Sequence, residues 1–217
     1  YGGETNTLLG YAAAASGTYF LDISAGNATG TYRLAGTFSD TVLRSSATEA
    51  RLADGTRLSK AHPRFDAMGD VDELNSNIGV LRSVLDAPID AALNEFLAQI
   101  QHHLFEIGSE LAVPGMTFLR AGALDQVEHW AEQANAQLPA LQEFILPSGA
   151  ASASQAHICR SVARRAERAL VLLNQTEAQN DASLKYLNRC SDVFFIMARL
   201  LNQNAQVIET YWRGVDK

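Results

Sequence analysis

Residues 93–111, LNEFLAQIQHHLFEIGSEL, place Leu93, Leu97, Ile100, Leu104, Ile107 and Leu111 at alternating steps of four and three. That spacing matches the pitch of an α-helix, so the six side chains form one apolar stripe. The same alternation governs Val71, Leu74, Ile78, Leu81 and Leu85, and again Leu184, Leu187, Ser191, Phe194, Ala198 and Leu201. Between these sets the pattern predicts a shorter helix at about 121–136 and a further one at about 150–174. Helix breakers separate the segments: Pro88, Pro114-Gly115, Pro139 and Pro147-Ser148-Gly149, with Asn180-Asp181 as a helix start. Short links force successive helices to run opposite ways, so the expected fold is all-α, an antiparallel five-helix bundle of ferritin-like architecture.

The chain divides by composition into residues 1–59 and 60–217. The first part has no lysine and is rich in Gly, Ala, Ser and Thr. Its β-favouring runs, TYFLDIS (18–24), TYRLAGTF (31–38) and TVLR (41–44), are split by turn-formers such as Ala25-Gly26-Asn27. Loops with one or two short hairpins are expected there. The second part is the helical domain.

The net charge of -7 argues against general binding to nucleic acid or an anionic membrane. Cys159 and Cys190 form no CxxC and no disulfide framework, a pattern that suits a reducing compartment. No apolar run approaches the roughly 18 residues needed to span a bilayer, and no basic flank precedes LLGYAAAA (8–15) to make a signal peptide. These features point to the cytoplasm. Nothing resembles an Arg-rich transit peptide, which places the mitochondrial matrix second.

Against this acidic background, ICRSVARRAERAL (158–170) concentrates Arg160, Arg164, Arg165 and Arg168. Arg160, Arg164 and Arg168 are four apart and line one helix face, with Glu167 three after Arg164 and able to hold its guanidinium. A solvated ridge with local pairs is one reading. One glutamate cannot neutralise four guanidiniums, however, and a row of forked donors is what a polyphosphate requires. In GDVDELNSNIG (69–79), Asp72 borders the stripe; it either pairs locally or meets an arginine from another helix or subunit. In YLNRCSDVFF (186–195), Asn188 and Asp192 share a face, and Arg189 can pair with Asp192. Asn188 serves either as a structural hydrogen-bonder or as the reader of a ligand edge.

Other chemistry is sparse. His102 and His103 are adjacent and point to different sides of a helix, and His62, His129 and His157 have no HxxxH spacing, so no protein-bound metal is expected. GxSxG, GxxxxGK[ST] and GxGxxG are all absent. Any nucleotide site is therefore of an unusual type.

Three segments in this order, SKAHPRFDAMGDVDELNSNIG (59–79), FILPSGAASASQAHICRSVARRAER (144–168) and YLNRCSDVFFIMAR (186–199), resemble the PduO-type ATP:cob(I)alamin adenosyltransferases, over about residues 55–210. The resemblance implies a five-helix bundle assembled as a homotrimer, with active sites between subunits. It implies transfer of the 5′-deoxyadenosyl group of ATP to the cobalt of a reduced corrinoid, with release of triphosphate. By motif match, Arg164, Arg165, Arg168 and Glu167 belong to the ATP site, with Arg164 against the phosphates. Lys60, in the RxxK motif, adds a phosphate contact, and Asn188 hydrogen-bonds the nucleotide. The resemblance also implies that Asp72 pairs with Arg160 of a neighbouring subunit and that Phe144 displaces the lower axial base of the corrinoid. Mg²⁺ accompanies the triphosphate. A reductase or an adenosylcobalamin-dependent acceptor enzyme is an expected partner.

The sequence departs from the family at its N-terminal phosphate loop, TxTGDxGxT. Aligned on Lys60 without gaps, that loop falls on residues 44–50, which lack its glycines and aspartate; residues 1–5 keep only Gly3 and Thr5. The alternative that follows is a non-catalytic relative that binds a corrinoid or nucleotide.

Overall fold

Five helices carry the fold: α1 (Pro63–Ser83), α2 (Ala91–Ala112), α3 (Ala123–Asn135), α4 (Ala151–Asn174) and α5 (Asp181–Asn204). They are the five that the apolar spacing predicts. The computed structural model describes residues 17–23, 32–38, 48–86 and 90–213. Helix starts follow local chemistry. Pro63 takes the first helical position of α1, where a missing N–H costs nothing, and His62 Nδ1 accepts from the Arg64 N–H at 3.2 Å. Asn180 Oδ1 accepts from the Ala182 N–H at 3.1 Å and opens α5. The stripe of α1 outlasts its helix: Leu85 lies beyond the C-cap Val84 yet still packs on the core.

α1 packs against α2 and α4, and α5 against α4 and α3. Side chains on α2 close the bundle. Phe96 stacks on Trp130 of α3 with ring centroids 4.5 Å apart, and His103 Nδ1 meets the Tyr186 hydroxyl of α5 at 2.9 Å. The core is the predicted stripe set, with Leu74, Ile78, Leu97, Ile100, Leu104 and Phe194 all buried. Each such side chain contributes about 1.5–3 kcal/mol through burial. One buried carboxylate is fully occupied: Glu110 accepts from the Phe118 and Leu119 N–H groups at 2.8 and 2.9 Å, from Asn180 Nδ2 at 2.9 Å and from Ser183 Oγ at 2.5 Å. It ties the α2–α3 link to the start of α5.

Contacts divide the chain into Tyr1–Ala50 and Arg51–Lys217, and the bundle lies wholly in the second unit. In the first, β1 (Gly17–Ile23) and β2 (Tyr32–Phe38) pair antiparallel, from Gly17 opposite Phe38 to Ile23 opposite Tyr32. This is the hairpin expected from TYFLDIS and TYRLAGTF. TVLR (41–44) lies outside the described residues, as do residues 1–5 and 44–47. Short strands β3 (Glu49–Arg51) and β4 (Arg57–Ser59) form a second ladder. Its turn is built on Asp54, whose carboxylate accepts from the Thr56 N–H at 2.8 Å and hydroxyl at 3.0 Å, with Gly55 at φ +91°.

Candidate active site

α4 begins on a tight turn. Gly149 has φ +119°, a conformation open to glycine, and Asn202 of α5 braces it from both sides. Asn202 Oδ1 accepts from the Ala150 N–H at 2.9 Å, and its Nδ2 donates to the Ser148 carbonyl at 3.1 Å. A Cβ at Gly149 would lie 2.0 Å from Asn202 Oδ1. The PSG segment thereby fixes where α4 starts, and with it the direction of the arginine row.

Along α4, Arg160, Arg164 and Arg168 border three clefts linked by shared residues. Arg164, Glu167, Arg168 and Asn188 line one of about 540 Å³. Arg160 and Arg164 line a second, about 450 Å³, with Arg189, Asp192 and Phe195 of α5. Arg160 also lines the third, about 580 Å³, with Phe144, His157 and Phe195. None of the three arginines has a carboxylate partner among the described residues. Burial and the charge of Arg164 both hold Arg160 below the usual guanidinium range. Two cations one turn apart, neither paired with an acid among the described residues, make a site that favours an anion.

The other expected site residues fall in different places. Arg165 turns to α1, where Nε donates to Asp70 Oδ1 at 2.9 Å and Nη2 to Glu73; both bonds push it above its ordinary value, Glu73 first. It lines none of the three clefts. Glu167 does not hold Arg164; it accepts from Asn188 Nδ2 at 2.7 Å and so joins α4 to α5 inside the first cleft. Arg168 Nη1 donates back to the Arg164 carbonyl at 3.0 Å. Asp72 is exposed on α1 rather than set against its stripe, and it has no ion pair among the described residues. Lys60 is exposed in the turn between β4 and α1. The Arg189–Asp192 pair forms at 3.0 Å, and Arg189 also donates to Glu128 of α3 at 2.9 Å.

Phe144 is 80 % exposed at the mouth of the third cleft. Its segment is held by the chain after α5: Trp212 N–H donates to the Phe144 carbonyl at 2.7 Å, and Leu146 N–H to the Thr210 carbonyl at 2.8 Å. Buried Arg199 ties the α3–α4 link to the chain after α5, with Nε to Glu209 Oε1 at 3.0 Å and Nη2 to the Pro139 carbonyl at 2.8 Å. Arg199, Asn202 and Phe195 also shape the site, and the apolar spacing does not single them out. The available signal for Arg199 was a cation directly beside Ala198 of the α5 stripe. Among the described residues no cluster of three or more His, Cys, Asp or Glu could hold a metal ion, and no helix is long and apolar enough to cross a membrane.

This arrangement has close counterparts. A Cobalamin adenosyltransferase of Cupriavidus metallidurans is 50% identical over 162 residues, 75% of this chain and 87% of that protein. A Corrinoid adenosyltransferase of Bacillus subtilis is 38% identical over 157 residues, 70% of this chain and 81% of its own length. Among solved structures, a phenylalanine-to-alanine variant of the PduO-type ATP:corrinoid adenosyltransferase from Lactobacillus reuteri, complexed with cobalamin and ATP, superposes with a TM-score of 0.73. It is 34% identical and covers 77% of this chain and 95% of that one. The family model described as Cobalamin adenosyltransferase matches residues 45–201, from ahead of β3 into the last turn of α5. That span contains the arginine row and all three clefts' helical walls, and the chain belongs to the cobalamin adenosyltransferase family.

Proposed function

We propose that this chain transfers the 5′-deoxyadenosyl group of ATP to the cobalt of cob(I)alamin or a related corrinoid, giving the adenosylated corrinoid and triphosphate. The observation that carries this reading is the unneutralised row of Arg160, Arg164 and Arg168 leading from a polar cleft to one mouthed by Phe144. The named activity of the relatives, and the ligands in the Lactobacillus reuteri structure, support it.

The reaction needs no catalytic base. A cobalt(I) electron pair attacks C5′, the Co–C bond forms, and the C5′–O bond breaks with its pair leaving on triphosphate. No proton is transferred, so the protein's work is alignment and stabilisation of the leaving group. Arg164 and Arg168 bind the phosphates, with Mg²⁺ as counter-ion. Asn188, held by Glu167, reads the nucleoside, and Lys60 adds a phosphate contact. Arg165 sets α4 against α1. Phe144 presents an apolar face to the lower side of the corrinoid, where it disfavours the axial base and makes cobalt(I) easier to reach. Exposed Asp72 pairs with Arg160 of a neighbouring subunit in a homotrimer.

The test is to supply ATP, Mg²⁺ and chemically reduced cobalamin and to follow the corrinoid spectrum. Conversion to adenosylcobalamin is expected. Tight corrinoid binding without conversion would instead mark a non-catalytic binding relative.

A further inference from the structure

Two polar groups under Phe144 lack partners. His157 is only 4 % exposed, yet neither of its ring nitrogens bonds anything among the described residues; one helical turn further on, Arg160 Nε is buried and equally unbonded. Both side chains line the 580 Å³ cleft. Leaving such atoms unpaired in the interior is costly. The buried polar side chains nearby behave otherwise, since Arg199 and Asn202 are bonded on both sides. Two unpaired groups in the wall of one cavity therefore point to a partner that arrives with a ligand.

The atoms define its chemistry. Arg160 Nε–H can only donate. His157 is held below the usual imidazole value, chiefly by burial and then by Arg160, with Glu209 opposing. The neutral ring keeps one nitrogen that accepts. A donor and an acceptor one helical turn apart on α4, in the wall of one cleft, suit a primary carboxamide, whose carbonyl takes the Arg160 hydrogen and whose NH₂ donates to His157. A carboxylate would satisfy the arginine and set a lone pair against the imidazole acceptor. Propionamide arms project from the lower face of a corrin, the face that Phe144 meets.

We propose that His157 and Arg160 Nε form a subsite that reads one propionamide arm of the corrinoid, making His157 a specificity-determining residue. This rests on the corrinoid reading above. The Nη atoms of Arg160 stay free for Asp72 of a neighbouring subunit.

The experiment measures dissociation constants of cob(II)alamin and of its separated b-, d- and e-monocarboxylic acids, with ATP present, for the wild type, His157→Leu and His157→Gln. One of the three acids is expected to bind the wild type about tenfold more weakly than the amide. His157→Leu should weaken the amide and erase that difference while leaving ATP affinity unchanged, and His157→Gln should restore it. A merely structural histidine would not alter the amide-to-acid ratio. Equal binding of all three acids to the wild type, or an unchanged ratio in His157→Leu, would overturn the subsite. Should His157→Leu fail to fold, an unchanged ratio in His157→Asn would do the same. A wild type that binds no cobalamin would overturn the corrinoid reading itself.

Discussion

Arg164 and Arg165 are adjacent in the chain and point to different structures. Arg164 faces the clefts without a carboxylate partner among the described residues, whereas Arg165 is engaged by Asp70 and Glu73. Arg164→Ala should lower kcat/KM by about 10- to 150-fold, the equivalent of one lost charge-assisted phosphate contact at about 1.5–3 kcal/mol. Steady-state adenosylation checks this; a near-normal rate would remove Arg164 from the triphosphate. The row Arg160, Arg164 and Arg168 was legible because helical spacing alone sets it on one face. The destinations of Arg165 and Glu167 were not, because their partners come from α1 and α5, across sequence separations that periodicity does not see. His157 was equally opaque, since only packing shows a histidine to be buried and unpaired. The two cysteines give a simpler test. Burial pushes Cys159 up to about 12 and Cys190 well above its usual value. At pH 8 only about 10⁻⁴ of Cys159 is then thiolate. Both should resist iodoacetamide in the native protein and react after denaturation, as peptide mass mapping would report.

At the scale of elements, the turn before α4 controls the site. Gly149→Ala forces a side chain into a positive-φ position already occupied by Asn202. It should cost about 1–3 kcal/mol from backbone strain alone, with a further loss as Asn202 gives up its bonds to Ser148 and Ala150. Denaturant titration measures the loss, and an unchanged midpoint would show that Asn202 does not brace the turn. All five helices were readable from stripes and breakers, and the two given approximate bounds, 121–136 and 150–174, match α3 and α4 to within about two residues. Pro147-Ser148-Gly149 announced a break but not its bracing, because Asn202 lies 53 residues after Gly149 on another helix. The strap between 144–146 and 210–212 has the same origin: isolated backbone pairing leaves no periodic trace.

At the scale of the molecule, two buried histidines shape the response to pH. Burial lowers both His103 and His157, so each takes up its proton at a lower pH in the folded protein than in the unfolded chain. The unfolded chain takes up protons near pH 6.5 while the folded chain does not. Stability should therefore fall as pH drops below about 6.5, by up to about 1.4 kcal/mol per pH unit for each histidine, until the folded-state values are reached. Urea titrations at pH 7.5 and 5.5 compare the two, and equal stability would show that neither ring is kept neutral by the fold. Assembly is tested through Asp72 and Arg160. If they pair between subunits, Asp72→Asn and Arg160→Ala should be non-additive in corrinoid affinity, by about 0.5 kcal/mol or more. In the proposed reaction the arginine row receives an intact triphosphate when C5′ leaves ATP. Phosphorus NMR of a single turnover measures it most directly: triphosphate equal in amount to adenosylcobalamin is predicted, and pyrophosphate with phosphate, or unconsumed ATP, would contradict it.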